Sequence, residues 1–298
     1  MYSREGFIEF RGSRTWYGIF DGNDADKLPV LCVHGGPAIP HDYMVSLRQL
    51  ADRGRTVVFY DQLGCGNSDR PSDPSLWRTE TFLDELDAVR TELGLTETHL
   101  YGHSCGAFLL IAYALTQPEG VASITLASGF PGIGMLIEEQ LRLVEAMDPG
   151  ARETAIRHTE RGTVDDPEFQ AIQSKFLARH VTKVWPWPED LNRAFARMGS
   201  DVYAAMWGTG GQFKVNGTMQ GLEYGDRLAE IDVPTLVVHG RDDYVPPRVG
   251  EALARGIPAS RLAIMEKSAH LPMLDEPEAY LALLDGFLGE IEFARGPG

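Results

Sequence analysis

Leu100-Tyr101-Gly102-His103-Ser104-Cys105-Gly106 decides how the whole chain is read. Thr98 to Tyr101 have the character of a strand and Ala107 to Leu115 that of a buried helix, so the Gly-x-Ser-x-Gly match falls on a strand-to-helix junction. The short match alone arises by chance in many chains, and this setting is what makes it specific. Such a turn is sharp, and glycine is needed on both sides of the serine where a side chain would collide with the adjoining strand and helix. Ser104 is then exposed above a sheet, with the N–H groups of a helix N-terminus aimed at the same spot and favouring negative charge there.

Outward from that turn the pattern repeats. Val30 to His34 and Thr56 to Tyr60 are short apolar runs of the buried-strand type, and Ala122 to Ala127 is another. Helical stretches are expected at Tyr43 to Ala51 and at Thr79 to Leu93, the latter with Thr79 as its cap. Phe7 to Arg11 and Thr15 to Phe20, on either side of Gly12-Ser13, read as an opening hairpin. From about Gly129 to Leu228 the alternation stops, and amphipathic helical stretches follow at Ile133 to Met147, Ala151 to Arg161 and Glu168 to His180. The strand pattern returns at Pro234 to His239 and Arg261 to Glu266, and Pro277 to Ile291 reads as a closing helix. The expectation is an α/β fold: a mainly parallel sheet covered by helices on both faces, formed by residues 1–128 and 229–298, with a helical cap of residues 129–228 inserted over the strand ends.

Among 298 residues, 27 are Lys or Arg and 43 are Asp or Glu, a formal charge of −16 spread along the chain. No basic stripe offsets phosphate repulsion, which argues against a nucleic-acid partner, while the acidity would suit a cationic substrate. Cys32, Cys65 and Cys105 have no metal-ligand spacing, and their odd number argues against a disulfide framework. With no apolar run behind Met1 to Gly6 and no membrane-length apolar stretch, the chain reads as a soluble cytoplasmic protein with no membrane partner.

A serine hydroxyl is a weak nucleophile and needs a base, which in turn needs a carboxylate to hold its tautomer. His270, in the loop after the last strand, is the expected base. Asp242 and Asp243 follow the strand at Pro234 to His239. Successive side chains of an extended loop point different ways, so only one reaches the histidine. Asp243 is preferred, leaving Asp242 as a solvated or loop-capping carboxylate. Oxyanion stabilisation needs fixed backbone N–H donors, and the candidates are Cys105, next to the nucleophile, and Gly36 in His34-Gly35-Gly36-Pro37. Cys105 itself reads as a small structural side chain, and His34 and His103 as locally hydrogen-bonded. Neither a metal nor a cofactor is required by this chemistry. The aromatics Trp185, Trp187, Tyr203, Trp207 and Phe213 read first as packing between helices, with Trp207 also a candidate wall of the site.

The set His34-Gly35-Gly36-Pro37, Tyr60 to Ser68, Gly102 to Gly106, Gly240-Arg241-Asp242-Asp243 and His270 resembles the proline iminopeptidase family of α/β-hydrolases. The resemblance implies the α/β-hydrolase fold, Ser104, Asp243 and His270 as the triad, and Gly36 and Cys105 as oxyanion donors. It further implies a substrate with a free amino end, either a peptide or an aminoacylated intermediate of the kind unmasked in bacterial secondary metabolism. Cap glutamates hold the ammonium group in that family. Here the expected Glu-Phe pair reads Gln212-Phe213 and the residue after the acid is Tyr244, so Glu223 is the nearest replacement, and Glu223, Gln212, Trp207 and Tyr244 are the candidate substrate-binding residues. The rival readings are a carboxylesterase or thioesterase with the same triad, and a ligand-binding homologue without turnover.

Overall fold

The computed structural model describes residues 1–295. Eight strands form one sheet: β1 (Arg4–Phe10), β2 (Ser13–Phe20), β3 (Val30–Val33), β4 (Val57–Tyr60), β5 (Thr98–His103), β6 (Val121–Ala127), β7 (Thr235–Gly240) and β8 (Ser260–Met265). Their order is β1-β2-β4-β3-β5-β6-β7-β8, antiparallel from β1 to β4 and parallel from β4 to β8. The opening hairpin turns at Arg11 and Gly12, both at positive φ (50° and 76°), the backbone a two-residue hairpin loop demands.

Strands β3 and β4 read as short apolar runs because both faces are covered. Leu31, Val33, Val58, Tyr60, Leu100, Ile124 and Val237 belong to one buried cluster. The intervening Val30, Cys32, Val57, Phe59, Tyr101, Leu236 and Val238 belong to another on the opposite face. The first cluster includes side chains of α1 (Thr79–Glu92) and α2 (Cys105–Ala114), and every residue of α2 is buried. Thr79 does not cap α1. Arg78 occupies that position in extended backbone, and the Thr79 hydroxyl is buried without a partner. The segment expected as a helix at Tyr43 to Ala51 is a run of 3-10 turns over His41–Arg53, since Tyr43, Met44, Leu47 and Leu50 can face the core under either period.

Between β6 and β7 lie α3 (Ile133–Met147), α4 (Ala151–Arg161), α5 (Pro167–His180), α6 (Glu189–Ala196) and α7 (Ser200–Met206). Leu141, Val144, Ala155, Phe169, Phe176 and Phe213 give these helices a small core of their own. They are tied to the sheet side by buried Asp42, which accepts from Arg193 Nε at 2.6 Å and Arg197 Nη1 at 3.1 Å. After β7 come α8 (Pro247–Gly256), the short α9 (Pro272–Asp275) and α10 (Pro277–Arg295).

A buried ion pair ties the last helix to the chain just before β4. Arg55, fully buried, donates through Nη2 to Glu292 Oε2 at 2.8 Å, and Leu28 N donates to Glu292 Oε1 at 2.7 Å. Burial alone would raise the Glu292 pKa, but hydrogen bonds from Arg55 and His99 hold it down to about 2. A depressed carboxylate contributes stability that is complete above its unfolded pKa, about 4.3, and is lost as pH falls towards 2. Glu292→Ala leaves the Arg55 charge buried and unpaired, so denaturant melts at pH 7 are expected to show a loss of about 3 to 5 kcal/mol.

Candidate active site

The strand order reverses beside β3, whose two neighbours, β4 and β5, lie on opposite sides of it. Ligands of open α/β sheets bind outside the carboxyl ends of the strands at such a point. Ser104 sits there, between the end of β5 and the start of α2, at φ 54° and ψ −120°. The flanking glycines are required by close approach. A Cβ on Gly102 would stand 2.6 Å from the Gly106 carbonyl oxygen, and one on Gly106 would stand 2.2 Å from that of Val33.

Asp243 and His270 arrive from the ends of β7 and β8. His270 Nδ1 donates to Asp243 Oδ1 at 2.7 Å, and the same oxygen accepts from Val245 N at 2.8 Å. Burial pushes the Asp243 pKa up, yet the adjoining His270 more than offsets this and leaves it below its ordinary value. Asp242 turns away, its carboxylate 2.8 Å from Lys183 Nζ. Tyr244 lies over the imidazole of His270, with ring centroids 3.8 Å apart and planes 26° from parallel.

The loop carrying His270 is held from several sides. His270 N donates to His180 O at 3.1 Å and Leu271 N to Val181 O at 3.1 Å, so the chain leaving α5 pairs with it directly. The His270 carbonyl accepts from Ser128 Oγ at 3.1 Å and from His103 Nε2 at 2.9 Å. His103 Nδ1 accepts from the Tyr43 hydroxyl at 2.9 Å, and that oxygen accepts from Gly35 N at 2.8 Å. Burial, with His270 nearby, lowers the His103 pKa to about 3, so it stays neutral in this chain of bonds. His34 is also buried, with Nε2 accepting from Gln62 N at 2.9 Å. The loop before Tyr43, the nucleophile turn and the histidine loop are thereby fixed to one another. Nothing in the sequence marks Tyr43, Ser128 or Val181 for this duty.

A cavity of about 390 Å³ opens on these groups, lined among others by Gly36, Ser104, Cys105, Tyr244 and His270. Cys105 Sγ donates to the Gly36 carbonyl at 3.1 Å, which draws the two candidate oxyanion donors together. Among the described residues, neither the Gly36 nor the Cys105 backbone N–H is engaged by another group of the protein. Burial raises the Cys105 thiol to about 12, so it carries no thiolate at neutral pH.

Of the aromatics expected between helices, Trp187, Tyr203 and Trp207 line the cavity. Phe213 packs with Phe169 and Phe176, and Trp185 is 84% exposed. Gln212 lines the cavity together with Gln173, whose Oε1 accepts from Gln212 N at 2.9 Å. Glu223 does not line it. Its exposed carboxylate accepts from Gly134 N at 2.6 Å in the first turn of α3, where a helix N-terminus favours an anion. The ammonium-binding expectation for Glu223 is therefore corrected: this carboxylate serves the helix end. Glu223→Gln is expected to leave kcat and KM within about twofold and to lower stability by about 0.5 to 1 kcal/mol, read from kinetics and thermal melts of the same preparation.

The chain matches the family described as alpha/beta hydrolase fold over residues 29–277. It is 38% identical over 292 residues to a proline iminopeptidase from Heyndrickxia coagulans, covering 98% of this chain and 100% of that one. The chain belongs to the proline iminopeptidase family. Two solved structures are similar along nearly the whole chain. A proline iminopeptidase from Mycobacterium smegmatis superposes with a TM-score of 0.91 at 30% identity, and VinJ with 0.89 at 32%, each covering 98% of this chain and 100% of its own. Membership makes the protein an enzyme, a serine hydrolase of the aminopeptidase kind.

One group of metal-type side chains, His158, Asp166 and Glu168, brings its ligand atoms within 4.8 Å of one another among the described residues. It does not line the family cavity, and Glu168 is already paired with Arg157 at 2.8 Å. No helix of the described residues is long and apolar enough to cross a membrane.

Proposed function

We propose that the protein removes an N-terminal amino acid, proline, alanine or another small residue, from a peptide or an aminoacylated small molecule through an acyl-enzyme on Ser104. The observation that carries this is the bond from His270 Nδ1 to buried Asp243, beside a serine held at positive φ in the same cavity. With Nδ1–H committed to Asp243, Nε2 of His270 is left to take the Ser104 proton as the hydroxyl attacks the carbonyl. The N–H groups of Gly36 and Cys105 receive the developing oxyanion, a contribution of about 3 to 4 kcal/mol for one such donor elsewhere. His270 then protonates the leaving amine, and water releases the acyl group by the reverse sequence.

In this reading residues 129–228 act as a cap over a core of residues 1–128 and 229–298. Gln212, Trp207 and Tyr244 form the wall that meets the substrate. Leaving groups of either kind fit the reading, a peptide or a biosynthetic intermediate. Cys32, Cys65 and Cys105 are free and buried, which suits a reducing cytoplasm.

The test is hydrolysis of proline and alanine anilides beside their N-acetyl forms and simple acyl esters, with Ser104→Ala as control. Cleavage of the free-amine anilides, lost in the variant and at least about tenfold weaker after N-acetylation, is the expected result. Turnover of esters alone, or indifference to N-acetylation, would select the carboxylesterase or thioesterase reading.

A further inference from the structure

Among the described residues, no side chain lining the cavity is a carboxylate. Its titratable groups are His103, His270, Cys105 and the phenols of Tyr43, Tyr203 and Tyr244. Carboxylates on the surrounding elements are turned to other partners. Glu139 of α3 bonds Arg142, Asp42 bonds Arg193 and Arg197, Asp242 bonds Lys183, and Asp243, which is not on the cavity wall, accepts from His270 Nδ1. Apart from Asp42, Asp61, Glu85, Glu139 and Asp243, the acidic side chains of the described residues lie outside the buried core, and salt screens exposed charges beyond about 8 Å at physiological ionic strength.

An ammonium ion entering such a site would be desolvated with no carboxylate in contact with it, which favours its neutral form. An α-amine starts from a pKa of only about 8, so a modest shift is enough to deprotonate it at neutral pH. The polar wall is equipped for a neutral amine. Gln212 is oriented from two sides, its N donating to Gln173 Oε1 at 2.9 Å and its Nε2 to Gln140 Oε1 at 3.2 Å. Its own Oε1 accepts no hydrogen bond among the described residues and is left for a substrate N–H.

We propose that the substrate's α-amine is bound and turned over as the neutral base, donating to Gln212 Oε1 in a cavity whose wall carries no carboxylate. This rests on the aminopeptidase reading. It makes the enzyme selective for aminoacyl groups only where the amine has lost its proton, and tolerant of acyl groups that lack an amine.

The test is kcat/KM for alanine anilide divided by that for propionyl anilide, measured from pH 5.5 to 9. Ionisation of His270 acts on both substrates and cancels in the ratio. The ratio is expected to rise about tenfold per pH unit below the amine pKa and to level off near pH 8. A ratio that is flat below pH 8 and falls above it means that the ammonium form is bound, and overturns the proposal. Gln212→Glu supplies the missing charge and is expected to convert the rising profile into that flat one. Gln212→Leu keeps the rise and lowers the ratio about fivefold at its plateau, with thermal melts checking that both variants fold. An unchanged ratio in Gln212→Leu overturns the role given to Gln212. If no free-amine anilide is cleaved at any pH while esters are, the aminopeptidase reading itself fails, and the proposal falls with it.

Discussion

Ser104→Ala is expected to lower kcat for an aminoacyl anilide by about a millionfold, with the melting temperature nearly unchanged. The hydroxyl is the only candidate nucleophile at the apex of the turn. The adjacent thiol cannot replace it, because Cys105 donates to the Gly36 carbonyl and burial raises its pKa to about 12. Alanine keeps the Cβ that Ser104 already places at φ 54°, so the strain of the turn is the same in both proteins. What remains is the contribution of substrate binding and the oxyanion donors, about 10³ to 10⁴ over water in enzymes of this design. Steady-state kinetics on a preparation cleared of wild-type enzyme measures the drop.

Asp243→Asn carries the second large effect, a fall in kcat of about 10⁴ at neutral pH. An amide can present its NH₂ group to His270 Nδ1, which then becomes the acceptor and leaves Nε2 protonated and unable to take the serine proton. The neighbouring Asp242→Asn is expected to change kcat by less than about twofold. Among the described residues its side chain pairs with exposed Lys183 alone, and its structural bonds come from the backbone: N donates to Ser268 O at 2.9 Å, and O accepts from His180 Nδ1 at 2.6 Å. The pair is a matched comparison, since both substitutions remove one carboxylate from adjacent positions of the same loop.

The parts of this protein that are legible in the sequence are those fixed by local covalent and steric demands. Gly102 and Gly106 announce the turn because no other residue fits against Val33 and the next helical turn. The strands β3 and β4 announce themselves because burial on both faces leaves apolar residues throughout Val30–Val33 and nearly apolar ones throughout Val57–Tyr60. Alternation along the loop implies that only one of Asp242 and Asp243 reaches the histidine, the resemblance points to Asp243, and the two side chains do diverge, one to His270 and the other to Lys183.

The features that were not legible depend on residues far apart in the chain. Glu223 looked available as a charge because its partner, the N-terminus of α3, lies 89 positions away and meets it only in the fold. The bonds joining Gly35, Tyr43, His103 and His270 cross four elements and leave no spacing to detect. Residue type alone points to Thr79 as the cap, whereas the chain enters α1 one residue earlier and buries the hydroxyl. Trp187 and Tyr203 could not be told from core aromatics, because a cavity wall and a helix interface ask for the same side chains.

The measurement that bears most directly on the acyl-enzyme is labelling by an organophosphorus fluoride, followed by peptide mapping and assay of the same samples. One equivalent on the peptide that carries Ser104, with activity lost in proportion and protection by an aminoacyl anilide, is the predicted result. Inactivation with the label elsewhere, or full activity in protein labelled at Ser104, would contradict the account.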